Sequence, residues 1–265
     1  MSYKAPLRDM QFVLYEVLNG DKILPELPGC EDATREIMDA MLTEGAKLAE
    51  NVLAPLNASG DREGCQYDTE THDVKTPDGF PDAYRQFAEA GWTALAGPVE
   101  YGGQGLPHTL NTLAEEMVCS ANLSLGMYPG LTHGAVNALT SYGTDELKEK
   151  YLPKLISGEW TGTMCLTEPH CGSDLGLLQC KAEKNDDGSY SVPGTKLFIS
   201  AGEHGMSDNI VHIGIARLPD APIGTKGISR VVVPKFNAGP DGEKLDRNAV
   251  TCGSIEHKMG IKGSA

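Results

Sequence analysis

The hydrophobic period of this chain changes once, near Thr161, and that change limits the folds open to it. Before it, apolar residues recur at helical spacing. In "EDATREIMDAMLTEGAKLAENVLAPL", Ile37, Met41, Leu48 and Val52 follow that spacing. Asp32 is placed to cap this helix and Pro55 to end it. "GFPDAYRQFAEAGW" reads as a shorter amphipathic helix stopped by Gly91. "HTLNTLAEEMVCSANLSL" and "LTHGAVNALTSYG" read as two apolar helices, the second stopped by Gly143. "TDELKEKYLPKLISGE" begins with Thr144 as N-cap and acids in its first turn. "NASGDREGCQYDTETHDVKTPDG" lacks periodicity and reads as a polar loop.

After Thr161 the pattern is one of short runs rich in β-formers, among them "TGTMCLT", "LLQCKAEK", "TKLFIS", "NIVHIGIAR" and "GISRVVVPKF". Asp187-Gly188 lies between two such runs and predicts a hairpin. The expected fold is therefore α+β, a helical domain over residues 1–160 followed by an antiparallel β domain over 161–265. The last stretch, "CGSIEHKMGIKGSA", reads as a strand and a turn with no partner strand after it. An unpaired edge of that kind leads to the expectation that the chain is a piece of a longer one.

Composition narrows the function classes. Hydrophobic residues at 40% and charged residues at 22% suit a globular core and argue against disorder. No apolar run approaches the roughly 20 residues a membrane span needs, and the N-terminus lacks a signal-peptide block, so a cytoplasmic protein is expected. A formal net charge of −15 repels phosphate backbones and argues against nucleic-acid binding. The cysteines, at 30, 65, 119, 165, 171, 180 and 252, include no Cys-x-x-Cys pair. They read as reduced, packed thiols, not as a disulfide framework or a metal site.

Two stretches carry chemistry. In "CLTEPHCGSD" the hydroxyls of Thr167 and Ser173 flank a turn in which Gly172 is free to take positive φ and expose neighbouring amides. Such a turn suits a flat heterocycle with donors and acceptors along one edge, and equally an ordinary connection in which both hydroxyls satisfy backbone groups. In "GTKLFISAGEHG" a strand is expected, which would put Phe198 and Ser200 on one face. That pairing offers a ligand a flat apolar surface and a hydroxyl, and on its own is as well read as core and surface.

Taken together the two stretches resemble the acyl-CoA dehydrogenase family. That family has a Thr-Glu-Pro-x-x-Gly-Ser-Asp turn and, one hairpin later, a Lys-x-aromatic-Ile-Thr/Ser strand. This chain has "TEPHCGSD" and "KLFIS" in that order. Upstream, "GWTALAGPVEYGGQG" is similar to the family's apolar, strand-like segment followed by Pro-x-x-Tyr-Gly-Gly-x-Gly. The resemblance covers nearly the whole chain, and "TEPHCGSDLGLLQCKAE" and "IEHKMGIKGSA" are most similar to the 3-methylmercaptopropionyl-CoA dehydrogenase branch.

The resemblance implies FAD as cofactor and α,β-dehydrogenation of an acyl-CoA, with electrons passed to an electron-transfer flavoprotein and assembly as a homodimer or homotetramer. By position it implies that Met164, Leu166 and Thr167 line the isoalloxazine ring, that Phe198 lies against it and that Ser200 reaches N5. Ser173 would meet the pantetheine or phosphate part of CoA. Met127, Tyr128 and Leu131 fall where the acyl pocket's helical wall would lie, and plain helix packing explains them equally well. Met164, Phe198 and Ser200 stand where the family commonly has Tyr, Trp and Thr. Glu168 is not the family's base, so the catalytic glutamate is expected beyond Ala265 and the chain alone is expected to be inactive. His133 and His170 read as surface or turn residues, Cys165 and Cys171 as packing. Alternatives are an oxygen-using oxidase of the same superfamily and a non-catalytic flavin-binding module.

Overall fold

The structure, a computed structural model, describes residues 3–265. Among the described residues, seven α-helices come first: α1 (Leu7–Gln11), α2 (Gly20–Ile23), α3 (Arg35–Leu48), α4 (Ala54–Glu63), α5 (Phe80–Glu89), α6 (His108–Tyr142) and α7 (Asp145–Ser157). A small hairpin, β1 (Gln66–Tyr67) with β2 (Val74–Lys75), falls between α4 and α5. The helical half is thus as expected, with local differences. Thr34, not Asp32, caps α3, its hydroxyl accepting from the Ile37 amide at 3.4 Å. That start turns Met38 and Leu42 fully inward and leaves Ile37 42% exposed. Pro55 does not end a helix: α3 runs through a π-helical turn at Ala49–Leu53 directly into α4, and Pro55 follows that turn, where the ladder is already shifted. The stretch read as a polar loop holds most of α4 and the β1–β2 hairpin.

The two helices expected on either side of residues 126–130 are one element, α6, broken earlier, at Asn122. Asn122 leaves helical geometry (φ −157°, ψ 89°) and its side chain repairs both sides. Its Oδ1 accepts from the Leu125 amide at 3.1 Å as an internal cap, and its Nδ2 donates to the Leu53 carbonyl at 3.2 Å. Pro129 lies two turns into the second segment without ending it.

The second half is organised on a three-stranded sheet, β3 (Trp160–Cys165), β6 (Asn209–Arg217) and β7 (Ile228–Pro234), in the order β3-β6-β7. Two hairpins flank it: β4 (Glu183–Lys184) with β5 (Tyr190–Ser191), and β8 (Phe236–Ala238) with β9 (Lys244–Arg247). The β4–β5 turn holds Gly188 at φ +87°, the hairpin read from Asp187-Gly188. The expectation of wholly antiparallel strands fails at one pair. β3 runs parallel to β6, with Gly162 opposite Val211 and Met164 opposite Ile213. The long excursion between them returns the chain to the starting end of the sheet, which a hairpin cannot do.

One face of the sheet packs on α6 and α7 through Ala135, Leu139, Leu155, Trp160, Val211 and Ile213. Gly162 makes this approach possible, since a Cβ there would lie 2.5 Å from the Ala135 Cβ. The chain's end also packs inward. The Tyr128 hydroxyl donates to the Gly263 carbonyl at 3.0 Å and accepts from the Ala265 amide at 2.9 Å.

Candidate functional site

β3 delivers its C-terminal end to the first motif. Its buried threonines fix what covers it: Thr163 Oγ1 donates to the Ser200 carbonyl at 2.6 Å, and Thr161 Oγ1 meets His204 Nε2 at 3.1 Å. Since His204 Nδ1 accepts from the Met206 amide, its Nε2 carries the proton and is the donor to Thr161. The loop 199–207 is thereby bonded over the sheet face that turns away from α6.

Beyond β3, the turn Thr167–Asp174 closes on reciprocal backbone bonds. Glu168 N donates to Cys171 O at 2.8 Å and Cys171 N to Glu168 O at 3.1 Å. The Glu168 carboxylate, 5% exposed, accepts from the amides of Gln179 (2.9 Å) and Cys180 (3.0 Å) and from Lys196 Nζ (2.9 Å). Burial pushes its carboxyl up, but the two amides and the ammonium together outweigh burial and hold it below the usual carboxylate range. A general base at neutral pH needs the opposite tuning, so Glu168 is an anchor for the turn.

The second motif is not the strand read from its sequence. Phe198 and Ala201 take positive φ, +59° and +57°, and residues 196–200 form no ladder. The alternation argument therefore does not apply to Phe198 and Ser200. What joins the stretches is a single backbone bond, Leu197 N to Thr167 O at 2.9 Å, reinforced by Lys196. The left-handed turn that ends any ladder at Phe198 also lifts its ring outward, to 68% exposure.

The structure thus brings Met164, Leu166, Thr167, Phe198 and Ser200 to one end of β3. Thr167 and Ser200 are partly exposed, and among the described residues no group bonds either hydroxyl. Thr167 packs its methyl against Gly172, where a Cβ would lie 3.3 Å away. Ser173 is exposed on the outer side of the same turn, and Asp174 accepts from the Gly176 amide at 3.0 Å. Unpartnered hydroxyls beside an exposed flat ring are the groups a planar heterocycle with polar edges needs, and these residues fit one. A cation is less well served. Glu168, His170 and Cys171 converge within 4.8 Å, but the carboxylate oxygens are already taken by two amides and an ammonium.

The three helix residues separate. Met127 and Leu131 line a cavity of about 160 Å³ with Phe87, Trp92, Glu115 and His133. Tyr128 faces the other way, fully buried, its hydroxyl spent on the Gly263 and Ala265 backbone. His133 is not a plain surface residue: its Nδ1 pairs with Glu115 at 2.7 Å and its Nε2 meets the Thr93 carbonyl at 3.3 Å. Burial pushes the thiol of Cys165 up to about 12, which leaves it inert beside the motif.

Lys196 was read only as the first position of "KLFIS", and its role in joining the two stretches was missed. A second buried ion cluster, in which Glu203 is paired by Lys235 and by Arg247 at 3.5 Å, also gave no pattern in the sequence.

With this geometry in view, the chain is a two-part α+β protein whose first motif turn and second motif loop are locked together at a strand end. It belongs to the acyl-CoA dehydrogenase family: the family's N-terminal domain matches residues 36–159 and its middle domain residues 163–265. It is 44% identical, over its whole length, to the 3-methylmercaptopropionyl-CoA dehydrogenase of Ruegeria pomeroyi, of which it covers 44%. It is similar in structure to the butyryl-CoA dehydrogenase of Megasphaera elsdenii, with a TM-score of 0.66 and 28% identity, over 86% of this chain and 53% of that one. A chain from a structure described as the electron transferring flavoprotein of Acidaminococcus fermentans aligns equally well, with a TM-score of 0.66 and 26% identity, over 86% of this chain and 52% of that one. The chain thus spans about half the length of the relatives it matches.

Proposed function

We propose that the whole protein is an FAD-dependent acyl-CoA dehydrogenase that oxidises an acyl-CoA thioester to the 2-enoyl-CoA. The observation that carries this is the gathering of Thr167, Ser200 and Phe198 at the end of β3, with both hydroxyls unpartnered and the ring exposed. Bound FAD supplies the hydride-accepting chemistry. Leu166, through its backbone, and Thr167, through its hydroxyl, hold the pyrimidine edge. Phe198 lies against the ring system, Met164 lines it and Ser200 reaches the N5 region. Ser173, on the outer side of the turn, meets the pantetheine or phosphate part of CoA. Met127 and Leu131 border the space for the acyl chain. Tyr128 faces away from that space and holds the Gly263–Ala265 backbone instead. Glu168, tied to three donors, is not the general base, and the resemblance to the family puts the base outside residues 1–265.

The finer reading takes its substrate from the 44% identical relative: 3-methylmercaptopropionyl-CoA. An electron-transfer flavoprotein is the acceptor, the protein is a cytoplasmic homodimer or homotetramer, and the helical and β domains meet at residues 160 and 161. No helix among the described residues is long and apolar enough to cross a membrane.

The test is the absorbance spectrum of the full-length protein before and after anaerobic addition of 3-methylmercaptopropionyl-CoA or butyryl-CoA. Bleaching of a flavin band, faster with the first thioester, is expected. Bleaching only by butyryl-CoA retires the finer substrate, and substrate-dependent oxygen consumption would move the protein to the oxidases. The absence of any flavin would refute the roles of Thr167, Phe198 and Ser200. Turnover by residues 1–265 alone would overturn the placing of the base.

A further inference from the structure

Lys196 fills the gap between the two motif loops. Its side chain is 14% exposed, and its ammonium donates to the Ile215 carbonyl (2.9 Å), Glu168 Oε1 (2.9 Å) and the Leu166 carbonyl (3.3 Å). An ammonium has three N–H donors, so its capacity is used in full. Glu168 extends the arrangement to the Gln179 and Cys180 amides. Four stretches of chain, at 166–168, 179–180, 196 and 215, therefore meet at one ion pair.

The consequence for Thr167 is geometric. The C=O and N–H of a trans peptide point to opposite sides. With the Leu166 carbonyl held toward Lys196, the Thr167 N–H is turned away from it, and no described residue accepts that N–H. The following carbonyl, that of Thr167 itself, is held by the Leu197 amide at 2.9 Å. The dipeptide Lys196-Leu197 thus fixes the peptides on both sides of Thr167 and leaves its N–H and hydroxyl as the free polar groups.

We propose that Lys196 and Glu168 are a positioning pair that aims the Thr167 N–H and hydroxyl at the flavin and, through their opposite charges one peptide away, sets its reduction potential. The inference rests on the flavin reading above. Removing the cation alone leaves a buried carboxylate near the ring, which disfavours adding electrons to it. Removing the anion alone leaves a buried ammonium, which favours that step.

The test uses the full-length protein with Lys196→Met, Glu168→Gln and the double variant. FAD affinity is measured by equilibrium dialysis, the midpoint potential by dye equilibration and folding by urea unfolding. Each single variant is expected to weaken FAD binding about tenfold or more. The potential is expected to fall with Lys196→Met and to rise with Glu168→Gln. The double variant, which leaves no unpaired charge, is expected to recover stability and a potential near that of the parent. Its FAD affinity is expected to stay weakened, because nothing then holds the Leu166 carbonyl. It also keeps the test decisive if a single variant fails to fold. FAD affinity that tracks urea stability across all three variants, or potentials that shift in one direction for both singles, overturns the proposal and makes the pair purely structural. A parent protein that binds FAD, with variants unchanged in affinity and potential, refutes the pair alone. A parent that binds none refutes the flavin reading and the pair together.

Discussion

Gly162→Ala tests whether the approach of α6 to β3 is what places the first motif. The added Cβ would lie 2.5 Å from the Ala135 Cβ, 3.5 Å from Leu155 Cδ2 and 3.6 Å from Thr132 Cα. Carbon atoms pack at about 3.5–4.0 Å, so the Ala135 contact must open by roughly 1 Å. Neither side yields easily. Ala135 carries its Cβ directly on the α6 backbone, and the Gly162 amide is pinned by Thr132 Oγ1 at 3.1 Å while β3 is laddered to β6. The cost is therefore placed toward the upper part of the overpacking range, about 1–3 kcal/mol. Ala135→Gly alone loses about 1 kcal/mol of helix propensity and about 0.8 kcal/mol of methyl burial. If the two changes acted independently, the double variant would lose about 3–5 kcal/mol. If the clash is the cause, the alanine methyl at 162 takes the space vacated at 135, and the double variant loses only about 2 kcal/mol. Urea unfolding followed by circular dichroism, at constant m-value, measures all three. A coupling energy of about 1–3 kcal/mol toward rescue is expected, with FAD content recovering in the double variant. Additive losses would refute the reasoning.

Tyr128→Phe leaves the Gly263 carbonyl and the Ala265 amide without their buried partner. A loss of about 1–3 kcal/mol in urea unfolding is expected, with faster hydrogen exchange at the Ala265 amide and no change in acyl-chain preference. Glu168 has its carboxyl held below 4.5, so its contribution is present above that pH and fades as pH falls through the lowered value. Glu168→Gln should therefore flatten the acid limb of the stability profile, and an unchanged limb would count against the clamp. His204 and His212 are pushed down from 6.5 to about 3 and about 4, by burial first and then by the nearby Lys235 charge. The unfolded chain takes up protons on these rings first, so stability is expected to decline as pH drops from about 6.5 toward 4. Among the described residues, His212 Nδ1 has no hydrogen-bond partner. His212→Leu should therefore leave stability at pH 7 unchanged or higher while reducing that slope, as read by urea titrations at several pH values.

The division into a helical half and a β half was legible because hydrophobic period is a local signal that tertiary context seldom reverses. The Thr144 cap and the Asp187-Gly188 hairpin were legible for the same reason. The larger errors fall where a distant partner decides. Asn122 breaks α6 because Leu53, far away in sequence, receives its side-chain amide. β3 takes β6 as a parallel neighbour across a long excursion that no local pattern announces. "KLFIS" has strand composition, yet the Leu197 amide is claimed by the Thr167 carbonyl and Phe198 turns left-handed. Of the candidate site, the residue types were readable and their grouping came only from the resemblance, whereas the Lys196–Glu168 pair that joins the two stretches was not readable. A buried ion pair has no period, and its two members are 28 residues apart.

The polar groups of this chain divide in a way that bears on which chemistry it can supply. Several buried groups able to move protons are committed. Glu168 has three donors, Tyr128 is closed between two backbone groups, and His204 is 1% exposed with both ring nitrogens bonded. His212 is buried, and burial holds it neutral across the physiological range. The groups left open at the end of β3 are two hydroxyls, one peptide N–H and an exposed aromatic ring. Hydroxyls and amides orient a ligand and donate hydrogen bonds, but at neutral pH they neither take nor yield a proton readily. A site made of such groups binds and aligns. Proton abstraction from a thioester's α-carbon then needs a carboxylate of a different environment, one neither buried among donors nor paired with an ammonium. This supports the proposal that the base is a residue outside 1–265. It also explains why a chain with 37 acidic residues offers, at its motif turn, a carboxylate suited only to holding the turn in place.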